Sequence, residues 1–488
     1  MKAEKFNLFS FSGKMKMMHM SWMAFFISFV VWFNAAPLMS VIADSLGLSK
    51  EQIKTLLILN VALTIPARII IGMVTDKFGP RLTYSALLIV CSIPCFMFAL
   101  GTSFEQLALA RFLLGFIGAG FVIGIRMVSE WFPANELGTA EGIYGGWGNF
   151  GSAAAAFTLP AIALVFGGED GWRYAIGATG GLSLLFGVIY FLNVSDTPKG
   201  STYFKPKKAG ALEVTSKADL VLLVVMKLPM YATLALLAWK LSPEGVKMFS
   251  QSSTELIYGL LILVLAIDLY LTYQVNKHLF DGPVPEFERY PFKQVAVLNV
   301  LYFSTFGSEL AVVSMLPLFF AETFELGLAQ AGMLASSYAF MNLLSRPGGG
   351  WISDRFGRKP TLMILTAGLA LGYLGMAQIN DQWSLPLAVL MVMTCSFFVQ
   401  GGEGAVFAAV PLIKRRLTGQ IAGMTGAYGN VGAVFFLTVY SMVSTQLFFY
   451  VIGASALFGL VSLLFLTEPK GHMTEVNEDG EVTMISVN

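Results

Sequence analysis

The chain has 488 residues, of which 56% are hydrophobic and only 12% charged, with a formal net charge of +1 and a mean hydropathy of +0.70. That is far more apolar side chain than a water-soluble core can hide, so the protein is expected in a bilayer. Near-neutral charge gives no reason to expect nucleic acid or a strongly acidic partner.

Apolar stretches long enough to cross ~30 Å of hydrocarbon as helices recur from about residue 20 to about residue 467, roughly 14 in all. The segment MKAEKFNLFSFSGKMKMMHM is basic, but the apolar run behind it is too long for a signal-peptide core and lacks a small-residue cleavage site. Residues 20–41 therefore read as a first, retained helix. The next helix carries Arg68 and runs into RIIIGMVTDKFGPR. Cys91 and Cys95, one helical turn apart in an apolar run, read as packing residues rather than a metal or redox pair. A glycine-rich helix beginning near Gly138 contains GGWGNFGSA, with Asn149.

Two further spans, 218–240 and about 255–275, each hold one charge away from their ends, Lys227 and Asp268. Both lie about 12 Å inside their ends at 1.5 Å per residue. Either charge alone costs a few kcal/mol in lipid, so an ion pair between them is expected. The helix starting near Phe292 contains Tyr302, Phe306 and Glu309; RPGGGWISDRFGRK follows with Arg346, then GGEGAVF with Glu403 and GAYGNVGAV with Asn430. The acidic tail, 468–488, reads as a disordered end.

Lysine and arginine cluster at alternate helix ends, in DKFGPR, DTPKGSTYFKPKK, VNKHLFDGPVPEFERYPFK, DRFGRK and IKRRLTG. By the positive-inside rule these loops and both termini face the cytoplasm, giving a multi-pass protein of the cytoplasmic membrane. His19, His278 and His472 offer little for a metal site, and no nucleophile has partners, so neither a metal, a cofactor nor an enzyme is expected.

The chain repeats itself. Arg68, Gly72, Asp76, Gly79 and Arg81 recur as Arg346, Gly350, Asp354, Gly357 and Lys359, since 346 − 68 and 359 − 81 both equal 278. Gly138, Gly148, Asn149 and Gly151 recur as Gly419, Gly429, Asn430 and Gly432, since 430 − 149 equals 281. Each arginine lies eight residues before its aspartate, and each asparagine 11 residues into its helix, which puts all four at about 12 to 16 Å depth, with Tyr302 near the same level. Two arginines in one membrane layer are costly and repel, so chance placement is a poor explanation. A guanidinium is planar, permanently charged and matched to two oxygens of a planar anion. A small oxyanion fits; the residues alone do not choose among nitrate, nitrite, formate, bicarbonate and a carboxylate.

GMVTDKFGPR and GWISDRFGRK resemble the loop signature of the major facilitator superfamily, and RFLLGFIGAG from Arg111 resembles its fourth-helix pattern. The resemblance implies an all-α membrane protein of two six-helix halves with pseudo-twofold symmetry, 1–195 and 293–467. Two extra helices are inserted within 196–292, and 468–488 forms the tail. EWFPANELGTAEGIYGGWGNFGSAAAAFTLP and EGAVFAAVPLIKRRLTGQIAGMTGAYGNVGAV look like the nitrate/nitrite porter family. That resemblance implies a monomeric secondary transporter of nitrate and nitrite working by alternating access, with Arg68 and Arg346 clamping the anion and Asn149, Tyr302, Phe121 and Phe306 lining the cavity. TFGSEL and GGEGAVF look more like the proton-coupled importers of this family than its exchangers. Glu403 and Glu309 are the acids expected to carry the proton, with a fixed counter-ion role for Glu403 as the competing reading. Nitrate/nitrite exchange, formate transport and a non-transporting nutrient sensor remain the alternative functions.

Overall fold

The computed structural model describes residues 6–487 except 168–169, 209, 246, 283, 327 and 477–481. Among the described residues, 12 helical segments are long and apolar enough to span a bilayer. The first half comprises Gly13–Phe33, Lys50–Ala62 with Thr64–Phe78, Pro80–Leu100, Phe104–Trp131, Ala134–Phe166 and Gly171–Asn193. In the second half Lys293–Thr323 is followed by Leu328–Phe340 with Asn342–Phe356, then Arg358–Met376, Leu385–Ala409, Thr418–Tyr440 and Thr445–Ser462. The sequence repeat is a structural repeat: adding 278 to Thr64–Phe78 gives the bounds of Asn342–Phe356.

The duplicated phrase makes two kinds of joint. Gly79 (φ 87°) and Gly357 (φ 98°) each link consecutive spans in a backbone conformation that L side chains rarely adopt, which explains glycine at both. Immediately after each, an acid from the end of the same half accepts the first N–H groups of the next helix. Asp196 takes the N–H of Arg81 at 2.7 Å, and Glu468 takes those of Arg358 and Lys359, both at 2.6 Å. Burial pushes the Asp196 carboxyl up from its ordinary range, against the opposing pull of that N–H and of Arg81.

The aspartates of the phrase work across the halves. Asp76 accepts the N–H groups of Gly419 and Gln420, both at 2.8 Å, at the start of the second half's glycine-rich helix. Asp354 accepts those of Gly138 and Thr139 at 2.8 and 2.6 Å, at the start of the first half's. Carboxylates at helix N-termini satisfy orphan donors and face the positive end of the dipole. Close approach at these crossings needs Gly72 and Gly350, because a Cβ on either would collide with the carbonyl of Gly419 or Gly138.

Two expectations are corrected. The first helix begins at Gly13 rather than residue 20 and ends at Phe33; a 3-10 turn, Ala36–Leu38, with Pro37 and a short helix, Met39–Leu46, complete the crossing. The 468–488 tail is not disordered in its described part: His472–Val476 pairs antiparallel with Val482–Ser486. Its acidic composition misled because Glu475 is buried and meets Lys414 at 3.7 Å and Arg416 at 3.8 Å, so the charge that argued for solvation is neutralised by packing.

The central spans are Lys217–Leu241 and Gln251–Asn276. Lys227 Nζ lies 2.5 Å from Asp268 Oδ1 and 2.8 Å from Thr272 Oγ1, and Tyr231 donates to Asp268 at 3.1 Å. The expected pair is present. Tyr428 donates to the Met226 carbonyl at 2.6 Å, tying this hairpin to the helix that carries Asn430.

Lys227→Ala and Asp268→Ala should each lower stability in detergent by about 2 kcal/mol, discounted from a fully buried pair because the site is partly exposed. The charge-swapped double variant should recover most of this in thermal unfolding; no recovery contradicts the pairing. Removing the cross-half caps should act on the opposite half: Asp76→Ala should speed amide exchange at Gly419 and Gln420, and Asp354→Ala at Gly138 and Thr139, each by about 1 kcal/mol of lost protection. Exchange changes confined to the mutated half contradict the reciprocal arrangement.

Candidate functional site

Arg68 and Arg346 are 1% and 2% exposed. Each points its side chain over a glycine of the opposite half: a Cβ at Gly426 would lie 3.1 Å from Arg68 Cδ, and one at Gly145 would lie 3.3 Å from Arg346 Cδ. These glycines are partners in the repeat, 426 − 145 equalling 281. One turn below, Gly423 and Gly142 sit against the main-chain carbonyls of the same two arginines. The glycine helices are therefore smooth so that the other half's arginine can pass across the interface.

Both guanidinium groups lie on the same aromatic pair. Arg68 Cζ is 5.7 Å from the Phe121 ring centroid and 5.2 Å from that of Phe306; Arg346 Cζ is 5.5 and 5.8 Å from them. The rings are aligned: Tyr302 lies within 6° of parallel to Phe121 and 7° of Phe306. Cation–π attraction offsets part of the cost of holding two cations in a low-dielectric layer.

The hydrogen bonding is incomplete. Arg68 Nη1 donates to the Gly426 carbonyl at 2.6 Å, while its Nε has no partner among the described residues. Arg346 Nη2 donates to Tyr302 at 3.0 Å and lies 2.5 Å from Glu403 Oε2, while its Nη1 has none. Asn149 Oδ1 and both amide atoms of Asn430 are buried and unpartnered among the described residues. Asn149 and Asn430 stand one helical turn beyond Gly145 and Gly426, on the same helix faces. Buried donors and acceptors without partners are rare in a finished core and costly in hydrocarbon; their concentration around two cations fits a polar anion as the missing partner.

The two acids differ. Glu403, with no exposure, is the ion-pair partner of Arg346. Glu309 Oε1 accepts from Asn342 at 2.5 Å and Gln400 at 3.2 Å, leaving Oε2 without a donor among the described residues. The structure also adds residues that sequence reasoning missed. Phe407 stands edge-on to Phe121 and Tyr302, at 86° and 85°; its one signal was its place a turn beyond Glu403. Tyr144 stacks beside Phe121 and donates toward the Gly120 and Phe121 carbonyls, each at 3.0 Å. Asn342 and Gln400 were legible only as polar residues in apolar sequence. Arg81 and Lys359 lie away from this layer: Arg81 Nε donates to the Phe191 carbonyl at 2.8 Å and Lys359 Nζ to that of Leu466 at 2.7 Å.

Gly145→Ala and Gly426→Ala should push the facing arginine aside by a few tenths of an ångström and weaken binding of a small oxyanion about tenfold, ~1.4 kcal/mol. Anion-dependent thermal shifts of the purified protein check this; unchanged affinity in both variants contradicts the proposed role of the two glycines.

The model of the Major Facilitator Superfamily matches residues 21–277 and 298–486. Across 98% of this chain and 97% of its own length, the nitrate/nitrite transporter NrtP of Picosynechococcus sp. is 49% identical. The high-affinity nitrate transporter 2.3 of Oryza sativa is 30% identical over 90% of this chain and 74% of its own. In fold, the chain is similar to the human organic anion transporter MFSD10, with a TM-score of 0.62 over 93% of this chain and 100% of that one, at 13% identity. With its duplicated halves and the paired arginines between them, the chain belongs to the nitrate/nitrite porter family of the major facilitator superfamily.

Proposed function

We propose that this protein is a monomeric secondary transporter that takes nitrate, and nitrite, across the cytoplasmic membrane by alternating access, with the basic loops and both termini on the cytoplasmic side. The observation that carries the reading is the pair of buried guanidinium groups, each with an N–H unpartnered among the described residues, laid on one aromatic pair. A flat, monovalent oxyanion matches their planar donor geometry, and Asn149, Asn430 and Tyr302 supply neutral polar groups at its rim. Relatives named for nitrate and nitrite transport support this choice of anion.

Charge arithmetic supports coupling to a proton. Arg68, Arg346, Glu403 and Glu309 sum to zero when both acids are ionised. One proton on either acid leaves a single positive charge, and one nitrate returns the layer to zero. Each ligand therefore favours the other, which is a coupling free energy in the linkage sense. The pair also crosses the membrane as a neutral unit and avoids the ~2.3 kcal/mol per charge per 100 mV that opposes anion entry into a negative cell. The Arg346–Glu403 ion pair favours a second reading, in which Glu403 is a fixed counter-ion and nitrate exchanges for nitrite.

Arg68→Lys and Arg346→Lys should each abolish most uptake of labelled nitrate by proteoliposomes, at equal abundance. An ammonium keeps the charge but not the planar fork, and loss of one such contact costs on the order of 2 kcal/mol. Near-normal uptake in either variant contradicts the clamp. Accumulation driven by a pH gradient without internal nitrite supports symport; movement only against internal nitrite supports exchange.

A further inference from the structure

One acid in the seam between the halves belongs to neither the anion layer nor the reciprocal caps. Glu141 is 2% exposed, and neither carboxylate oxygen has a hydrogen-bond partner among the described residues. It lies one turn below Gly145 and two below Asn149 on the same face of Ala134–Phe166, about 12 Å nearer the basic end than Asn149. The next residue, Gly142, packs on the main chain of Arg346 and Pro347 in the other half. Glu141 is therefore between the anion layer and the proposed cytoplasmic face, where the halves close on one another.

The charged groups that face it are Arg358, Asp354 and Arg415. Arg358 is already committed, to Asp354 at 2.6 Å and to the Ala134 carbonyl at 2.6 Å. No ion pair joins Arg415 to Glu141 among the described residues, and Arg415 Nη1 is itself unpartnered. The fold does not require an acid here, because the equivalent position in the second half, 141 + 281, is Ala422. An ionised carboxylate sealed in a seam without donors costs several kcal/mol, whereas the neutral acid costs far less. Parting the halves would return it to water.

We infer that Glu141 is a proton-binding residue of the cytoplasmic gate, holding a proton while the halves are closed and releasing it to the cytoplasm when they part. The closed state then binds the proton more tightly than the open state. By linkage, rising cytoplasmic pH favours opening and falling pH favours closure. This deepens the transport reading and rests on its orientation, but it does not depend on whether Glu403 or Glu309 also carries a proton. It makes Glu141 a positioning residue for the gate rather than a ligand of the anion.

The test is amide hydrogen exchange of the full-length protein in lipid nanodiscs, between about pH 5 and 8. Exchange is corrected for its intrinsic pH dependence and read at Gly138, Thr139 and Gly419, whose N–H groups seal the seam. Wild type should show protection falling as pH rises. Glu141→Gln should stay protected throughout, Glu141→Ala should behave likewise because alanine stands at the equivalent position, and Glu141→Asp should retain the transition with a shifted midpoint. A second readout is nitrate exchange in inside-out vesicles, where raising cytoplasmic pH should speed the wild type about tenfold more than the Glu141→Gln variant. A seam transition in Glu141→Gln matching wild type, or none in wild type, overturns the inference. A proton-sensitive seam in a protein that moves no nitrate upholds it and refutes the transport reading.

Discussion

Holding two permanently charged guanidinium groups side by side in the middle of a membrane protein is the constraint on which the remaining features depend. Neither arginine can shed its charge, and neither can reach bulk water from a position about 12 Å deep. The surroundings answer in parts. The Gly426 carbonyl and the Tyr302 hydroxyl take one N–H each, Glu403 neutralises Arg346, and Phe121 and Phe306 present ring faces to both cations. Arg68 Nε and Arg346 Nη1 keep no partner among the described residues, and on the proposed reading these are the donors left for an anion. On the proposed reading, specificity follows from the planar donor geometry of the two guanidinium groups, which suits a planar oxyanion better than a tetrahedral one.

The same helices link the site to the caps at the basic end. In each half the arginine and the capping aspartate lie on one helix, eight residues apart, and both engage the opposite half's glycine-rich helix, at Gly426 and Gly419 for Arg68 and Asp76. The arginine and the cap at the basic end are therefore joined by one continuous helix, Thr64–Phe78 in the first half and Asn342–Phe356 in the second. The exchange is reciprocal: each half caps the other's glycine-rich helix. That is the physical content of the two-fold repeat: one helix-to-helix contact used twice.

Much of this was legible in the sequence because the polar exceptions stand out in apolar surroundings. Arg68, Arg346, Asn149 and Asn430 were found by repeat spacing and depth, and the structure buries all four. The Lys227–Asp268 pair was legible from cost alone, since each charge needed a partner and only one lay at its level. Phe407 and Tyr144 were not legible: aromatic residues in a membrane helix are too common for spacing to single them out. That Asp76 and Asp354 cap the opposite half was also hidden, because a helix end needing an acceptor does not say which acid supplies it. The tail misled for a related reason, as composition counts the charge of Glu475 but not the lysine and arginine that meet it.

The central claim is that one planar anion is shared by both arginines. A structure of the protein with nitrate bound tests it most directly. The account predicts a single flat density between the guanidinium groups of Arg68 and Arg346, lying along the faces of Phe121 and Tyr302, with Arg68 Nε and Arg346 Nη1 within hydrogen-bonding distance of its oxygens. Density held by one arginine while the other keeps only its protein partners, or nitrate bound outside this layer, would contradict it.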